Sequence, residues 1–158
     1  MNNIWIVDTP IGQLGIYSDN FHLHMIQFID TAYNNVTPSS SPSKIANSVS
    51  EQMHEYFHGT RKTFNLSLYL DLPPFYKKVL FEVSKIKYGQ TASYMDIAIK
   101  SGDKKAVRAV GSANANNPIP IIIPCHRIIF SNGKIGGYGG GLEKKVFLLN
   151  QEGVDITL

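Results

Sequence analysis

Apolar and polar residues alternate along the start of the chain, in Ile4-Trp5-Ile6-Val7, then over residues 12–17 and again over residues 22–29. Pro10, Gly12 and Ser18-Asp19-Asn20 punctuate these runs. A period of two broken by turn formers predicts an antiparallel meander of three strands. His22 and His24, two apart, share one strand face. They are expected to be surface or hairpin histidines, without a carboxylate or thiol to complete a metal site. Residues 37–43 form a polar, proline-containing loop whose composition allows disorder. Ile45, Val49, Met53 and Tyr56-Phe57 then recur at helical spacing until Gly59. Phe64, Leu66, Leu68 and Leu70 alternate and predict a further strand over residues 62–70.

Asp71-Leu72-Pro73-Pro74 breaks the pattern and marks the expected boundary between residues 1–72 and residues 73–158. Pro74 suits the first turn of a helix, and Phe75, Val79, Leu80, Val83 and Ile86 give that helix one apolar face up to Tyr88-Gly89-Gln90-Thr91. Ser93 is the N-cap of a short helix, three residues before Asp96. Ser101-Gly102-Asp103 is a turn, and residues 104–115 predict a second helix with Ala106, Val107, Val110 and Ala113 on its small-residue face. Helix, glycine turn, helix is the layout of a helix-turn-helix and equally of an ordinary helical hairpin. Ile121-Ile122-Ile123, between Pro120 and Pro124, reads as a short buried strand that delivers Cys125-His126-Arg127 to its end. Ser131-Asn132-Gly133-Lys134 is a hairpin turn. Residues 135–141 are a glycine-rich loop without the P-loop pattern. Leu142, Val146, Leu149 and Asn150 space a last helix, ended by Glu152-Gly153.

Composition narrows the class. Of 158 residues, 43% are hydrophobic and 17% charged, an ordinary balance for a globular chain. No apolar run approaches the ~20 residues that span a membrane, and the start lacks the basic and apolar segments of a signal peptide. The single cysteine excludes an internal disulfide and any zinc site built on several thiolates, which favours the cytosol. A formal charge of +3 says little by itself, but Lys100, Lys104, Lys105 and Arg108 cluster, followed by Arg127, Lys134, Lys144 and Lys145. Such a cluster is a solvated face or a footprint for an anionic partner. Cys125 is a small buried hydrophobe or a nucleophile with His126 as its base. His54-Glu55-Tyr56-Phe57-His58 matches the zinc-peptidase pattern formally, with no third ligand in view.

Ser93-Tyr94, Arg108-Ala109-Val110-Gly111, Asn117-Pro118, Pro120, Pro124-Cys125-His126-Arg127, Gly136-Gly137-Tyr138 and Glu152-Gly153 resemble, in order and spacing, the O6-alkylguanine-DNA alkyltransferase family. The resemblance covers residues 74–153 closely and the first half only in layout. It implies an α+β protein: a ribonuclease-H-like antiparallel sheet with a helix, then a helical, winged-helix-like DNA-binding domain. The implied activity is irreversible transfer of an alkyl group from O6-alkylguanine in double-stranded DNA to Cys125, with O4-alkylthymine as a second candidate substrate. The nucleotide would be flipped out of the stack. By the same resemblance His126 is the base, Glu152 its orienter, Tyr94 the proton donor to the leaving guanine and Asn117 the brace of the cysteine segment. Arg108 is the finger that fills the gap. Lys104 and Lys105 are phosphate contacts, and Ala109, Ser112 and Ala113 suit a narrow minor groove. Ile128, Tyr138, Gly139, Pro120, Gly136 and Ser131 belong to the substrate pocket, with Gly139 standing where relatives carry serine or alanine. No cofactor or metal is expected, and the protein is expected to be a monomer in the cytoplasm, nucleoid-associated when on DNA, or in the nucleus if the source is eukaryotic. The alternatives left open are an alkylated-DNA-binding module without repair activity, a cysteine hydrolase and the peptidase.

Overall fold

The computed structural model describes residues 3–29 and 37–158, with Asn3 through its backbone alone. The reading of the extreme start as lacking a signal peptide falls partly on Met1 and Asn2, which lie outside the described residues. Contacts divide the chain into two compact units, Met1–Leu70 and Asp71–Leu158.

In the first unit the alternating runs form the meander β1 (Asn3–Thr9), β2 (Gly12–Ser18) and β3 (Leu23–Ile29), antiparallel throughout. On β2 the period of two buries Leu14 and Ile16; on β3 Leu23 and Ile26, three apart, both enter the core across the register shift at Tyr17/Ser18. Helix α1 (Lys44–Phe57) packs on β1 and β2 and buries Ala46, Val49, Met53 and Tyr56. Ser43 caps it, accepting the Ala46 amide at 2.9 Å, and shares a buried 2.8 Å hydrogen bond with Ser18 of β2. The polar loop is thus ordered at its end, and the Ser39 amide donates to the Ile4 carbonyl at 2.8 Å.

Residues 62–70 do not form the predicted strand. Their apolar side chains turn partly inward, but only Leu68 bridges, to Leu23. The backbone of Asn65 is served by a side chain instead: Gln52 donates to its carbonyl at 3.0 Å and accepts its amide at 2.8 Å. Backbone groups satisfied in this way need no ladder.

The second unit is mainly helical. Helices α2 (Pro74–Ser84), α3 (Tyr94–Lys100) and α4 (Val107–Ala115) pack on one another and bury Val79, Leu80, Val83, Ile97, Ala98, Val110 and Ala113. Helix α2 opens on Pro74 but stops short of Tyr88. Helix α3 carries a complete capping box, Ser93 Oγ accepting the Asp96 amide at 3.0 Å and Asp96 Oδ2 the Ser93 amide at 2.9 Å. Helix α4 starts later than predicted. Asp103 accepts the Lys105 amide through Oδ1 at 2.9 Å and the Ala106 amide through its carbonyl at 3.0 Å. That turn competes with the helix and leaves Lys104 and Lys105 exposed ahead of it.

The isoleucine run is not a strand. Pro118, Pro120 and Pro124 have no amide to offer a ladder, and the chain turns with Ile121 at φ 74°. Cys125–Arg127 is one 3₁₀ turn, which leads into β5 (Ile128–Ile129), paired in parallel with β4 (Ala92–Ser93). Asn132-Gly133 makes its turn, the Phe130 amide donating to the Lys134 carbonyl at 2.9 Å, but a loop rather than a strand follows. Helix α5 (Leu142–Gln151) completes the unit.

Candidate active site

The short β4–β5 pairing sets the layout. Ser93 lies beside Ile129, so Tyr94 at the head of α3 meets the segment that carries Cys125, and its ring sits 5.3 Å from that of Phe130. Helix α5 packs on the 3₁₀ turn and presents Glu152, its C-cap, to His126 and Arg127. Gly89 permits a second close approach: at φ 78°, a Cβ there would stand 3.0 Å from the Glu152 carbonyl oxygen.

Glu152 is buried and fully engaged. His126 Nε2 lies 2.7 Å from Oε2, while Arg127 Nε donates to Oε1 at 2.6 Å and Nη2 to Oε2 at 3.2 Å. Arg127 Nη1 donates to the Ile86 carbonyl at 2.6 Å. Burial alone would raise the Glu152 pKa, but the hydrogen bonds from His126 and Arg127 outweigh it and hold it at about 2. Burial lowers the pKa of His126, and the bond to Glu152 opposes this only in part. A neutral imidazole facing a carboxylate must carry its proton on Nε2. Nδ1 is then a bare acceptor, buried and without a hydrogen-bond partner among the described residues.

The Cys125 thiol is free and buried. Burial pushes its pKa up to about 11 despite a hydrogen bond from Asn117, so the resting protein holds a thiol. Asn117 also pins the preceding turn, Nδ2 donating to the Ile123 carbonyl at 2.9 Å and Oδ1 accepting the Ile119 amide at 3.0 Å. Within that turn Ile121 occupies the left-handed region, a conformation that costs a β-branched residue on the order of 1–3 kcal/mol.

Lys145 belongs to the site and not to the surface cations among which the sequence placed it. It is fully buried, and its Nζ donates to the carbonyls of Ile128 at 2.6 Å and Gly137 at 3.1 Å. Burial lowers its pKa to about 8, with Cys125 acting in the other direction. The signal was positional: Lys145 precedes Leu148 and Leu149 by three and four residues, on the inward face of α5.

Tyr94 accepts a hydrogen bond from the Gly137 amide, and burial raises its pKa. The glycine loop holds it closely. At Gly136, φ is 74° and a Cβ would lie 3.0 Å from Tyr94 Oη, 3.3 Å from Tyr94 Cε2 and 3.5 Å from Lys145 Nζ. Gly136→Ala is expected to displace the phenol and slow single-turnover transfer roughly 10²-fold, with duplex affinity little changed. An unchanged rate would show that the loop does not position Tyr94.

The remaining expected pocket residues are distributed as follows. Pro120 and Ile128 are buried, Ser131 and Gly139 are exposed, and a Cβ at Gly139 would meet nothing within 4 Å. Burial, with Cys125 and Glu152 nearby, raises the Tyr138 pKa well above its ordinary value. The Cys125 carbonyl accepts the Ile128 amide and, at 3.4 Å, Asn114 Nδ2. On α4, Arg108 and Ser112 are exposed one turn apart and Ala109 is half-buried. Ala113, expected on the groove-facing side, is fully buried; it follows Val110 by three residues and belongs to the core.

Two histidine pairs lie in the first unit. His24 does have a carboxylate beside it, Asp19 Oδ2 at 2.8 Å, contrary to the expectation from sequence. In the peptidase-like pattern, Glu55 pairs with Arg61 at 3.3 Å and His58 Nδ1 lies 2.8 Å from the His54 carbonyl. Among the described residues no three metal-ligating groups converge.

Residues 74–154 match the family model described as 6-O-methylguanine DNA methyltransferase, DNA binding domain, and residues 5–70 match its ribonuclease-like domain. The constitutive methylated-DNA–protein-cysteine methyltransferase of Bacillus subtilis is 38% identical over 96% of both chains. The methylated-DNA–protein-cysteine methyltransferase of Methanosarcina acetivorans is 39% identical over 94% of this chain and 96% of its own. The crystal structure of Mycobacterium tuberculosis OGT in complex with DNA superposes with a TM-score of 0.85 at 35% identity, covering 96% of this chain and 93% of that one. With both domains matched in order and relatives alike over nearly its whole length, the chain belongs to the 6-O-methylguanine DNA methyltransferase, or O6-alkylguanine-DNA alkyltransferase, family.

Proposed function

We propose that Cys125 takes the alkyl group of O6-alkylguanine from duplex DNA in a single transfer that spends the protein. The observation that carries this reading is a neutral buried histidine, oriented by Glu152 and next in sequence to a free buried thiol, with no hydrogen-bond partner on its Nδ1 among the described residues.

The chemistry balances on side chains alone. His126 Nδ1 takes the thiol proton through a water, as in the family. Thiolate sulfur attacks the alkyl carbon in line; the sulfur–carbon bond forms and the carbon–O6 bond breaks. Charge moves onto the purine, Tyr94 protonates a ring nitrogen, and the proton held by His126 is made up to Tyr94 through solvent. The net result is a thioether on Cys125 and guanine carrying the former thiol proton. Water does not reverse a thioether, so the protein is a consumed acceptor. The Lys145 ammonium faces the developing thiolate and lowers its cost.

Recognition divides between pocket and duplex. Ile128 offers its carbonyl to the guanine amino group, and Cys125 does the same as Asn114 gives up its long 3.4 Å bond; Gly139 offers its amide to O6, and Pro120, Gly136, Tyr138 and Ser131 line or border the pocket. Arg108 fills the stack left by the flipped nucleotide, Lys104 and Lys105 meet phosphates, and Ala109 and Ser112 meet the minor groove. The protein acts as a monomer on DNA, in the cytoplasm and nucleoid, or in the nucleus of a eukaryotic cell. Incubation with duplex carrying labelled O6-methylguanine, then peptide mapping, tests the reading. Label on Cys125, and none in Cys125→Ser, supports it; label at another residue, or retained by Cys125→Ser, refutes it.

A further inference from the structure

Tyr76, on α2, is outside every motif described above, yet its hydroxyl lies 2.6 Å from Ser112 Oγ on the exposed face of α4. Ser112 is one turn beyond Arg108, and both are exposed. On the reading that α4 meets the duplex, α2 therefore contributes to the same surface. We propose that Tyr76 and Ser112 form one hydroxyl donor pair that binds a non-bridging oxygen of a DNA backbone phosphate beside the flipped nucleotide.

The pair holds two hydroxyl protons and uses one between its members. In the arrangement that leaves the serine proton outward, the phenol donates to Ser112 Oγ. That bond polarises the serine hydroxyl and leaves its proton unspent. A helical serine left alone tends to bond back to the carbonyl four residues earlier; Tyr76 supplies a competing partner. The outward proton then sits about 6 Å along the helix from Arg108. A residue that enters the stack has backbone phosphates within that reach, and the exposed Lys104 and Lys105 ahead of α4 add positive potential. A neutral hydroxyl donating to an ionised phosphate is a charge-assisted bond, stronger than one between neutral groups. A donor with an unspent proton suits phosphate, which offers acceptors only.

The test is Tyr76→Phe, which keeps the ring and removes the oxygen. Duplex affinity and single-turnover transfer are measured with O6-methylguanine in two flanking sequences, alongside reaction with the free alkylated base. The expected result is roughly tenfold weaker duplex binding, equal in both contexts, with free-base reactivity and thermal midpoint unchanged. Ser112→Ala should show the same loss, and the double variant should be no worse than either single one. Unchanged duplex affinity, a loss that depends on flanking sequence, or a parallel fall with the free base each overturns the assignment. A wild-type protein that reacts with the free base but does not bind duplex would overturn the DNA-facing reading of α4, and this pair with it. Transfer by the wild type with Tyr76→Phe indistinguishable overturns the pair alone.

Discussion

Glu152→Ala is expected to abolish measurable alkyl transfer and to cost about 3–5 kcal/mol of stability, the usual penalty for breaking a buried ion pair from one side. The carboxylate accepts from His126 and twice from Arg127 within a site closed to solvent. Without it the Arg127 guanidinium keeps its bond to the Ile86 carbonyl, but a buried cation loses its counter-charge. His126 loses the acceptor that fixes its proton on Nε2, so Nδ1 ceases to be a dependable base. Glu152→Gln separates these effects, because it preserves shape but not charge. The wild type should also show the pair in its acid unfolding. The folded pKa of about 2 lies below the ordinary 4.5. The stabilisation is therefore complete above the unfolded value and is lost as pH falls through the interval toward 2. Denaturant melts across that interval should be steeper in pH for wild type than for Glu152→Gln. Full transfer by Glu152→Ala would remove this residue from the chemistry.

Lys145→Met is expected to leave a folded protein whose transfer rate is about 10²-fold lower, comparable to removing one preorganised donor from a developing anion. Methionine fills similar volume, so the core should persist, and removing a desolvated ammonium offsets part of what the lost hydrogen bonds contributed. The carbonyls of Ile128 and Gly137 lose a shared donor, which loosens the tie between β5 and the glycine loop. The thiolate loses its facing charge. The pH profile gives the sharper reading. The wild-type ammonium is charged below about 8 and neutral above it, so its assistance should fade as pH rises through that value. In Lys145→Met this alkaline limb should be absent. An identical limb in both proteins would assign it to another group.

The sequence was most legible where short-range physics decides. The three-strand meander, the ends of α1 and α5 and the Ser93–Asp96 capping box all follow from alternation, helical spacing or local hydrogen bonding. It was least legible where one side chain answers a distant backbone. Gln52 satisfies Asn65 and so dissolves an expected strand. Asn117 holds a turn where three consecutive isoleucines read as a strand, although the prolines around them have no amide for a ladder. Asp103 delays α4 by closing its own turn. At the site, the resemblance nominates Cys125, His126, Glu152 and Tyr94 one by one, and the fold sets His126 beside Glu152 at 2.7 Å. Lys145 was misread because a lysine in a basic cluster looks solvated, and Ala113 because small residues suit both a groove and a core. In both cases the helical wheel, taken residue by residue, held the answer.

The central claim is that Cys125 is a consumed acceptor. The direct measurement is the amount of alkyl group on the protein as O6-methylguanine duplex is raised from sub-stoichiometric to large excess. A plateau is expected at one group per chain, all of it on Cys125, with no further repair until fresh protein is added. Continued repair beyond one equivalent, with Cys125 recovered unmodified, would contradict it.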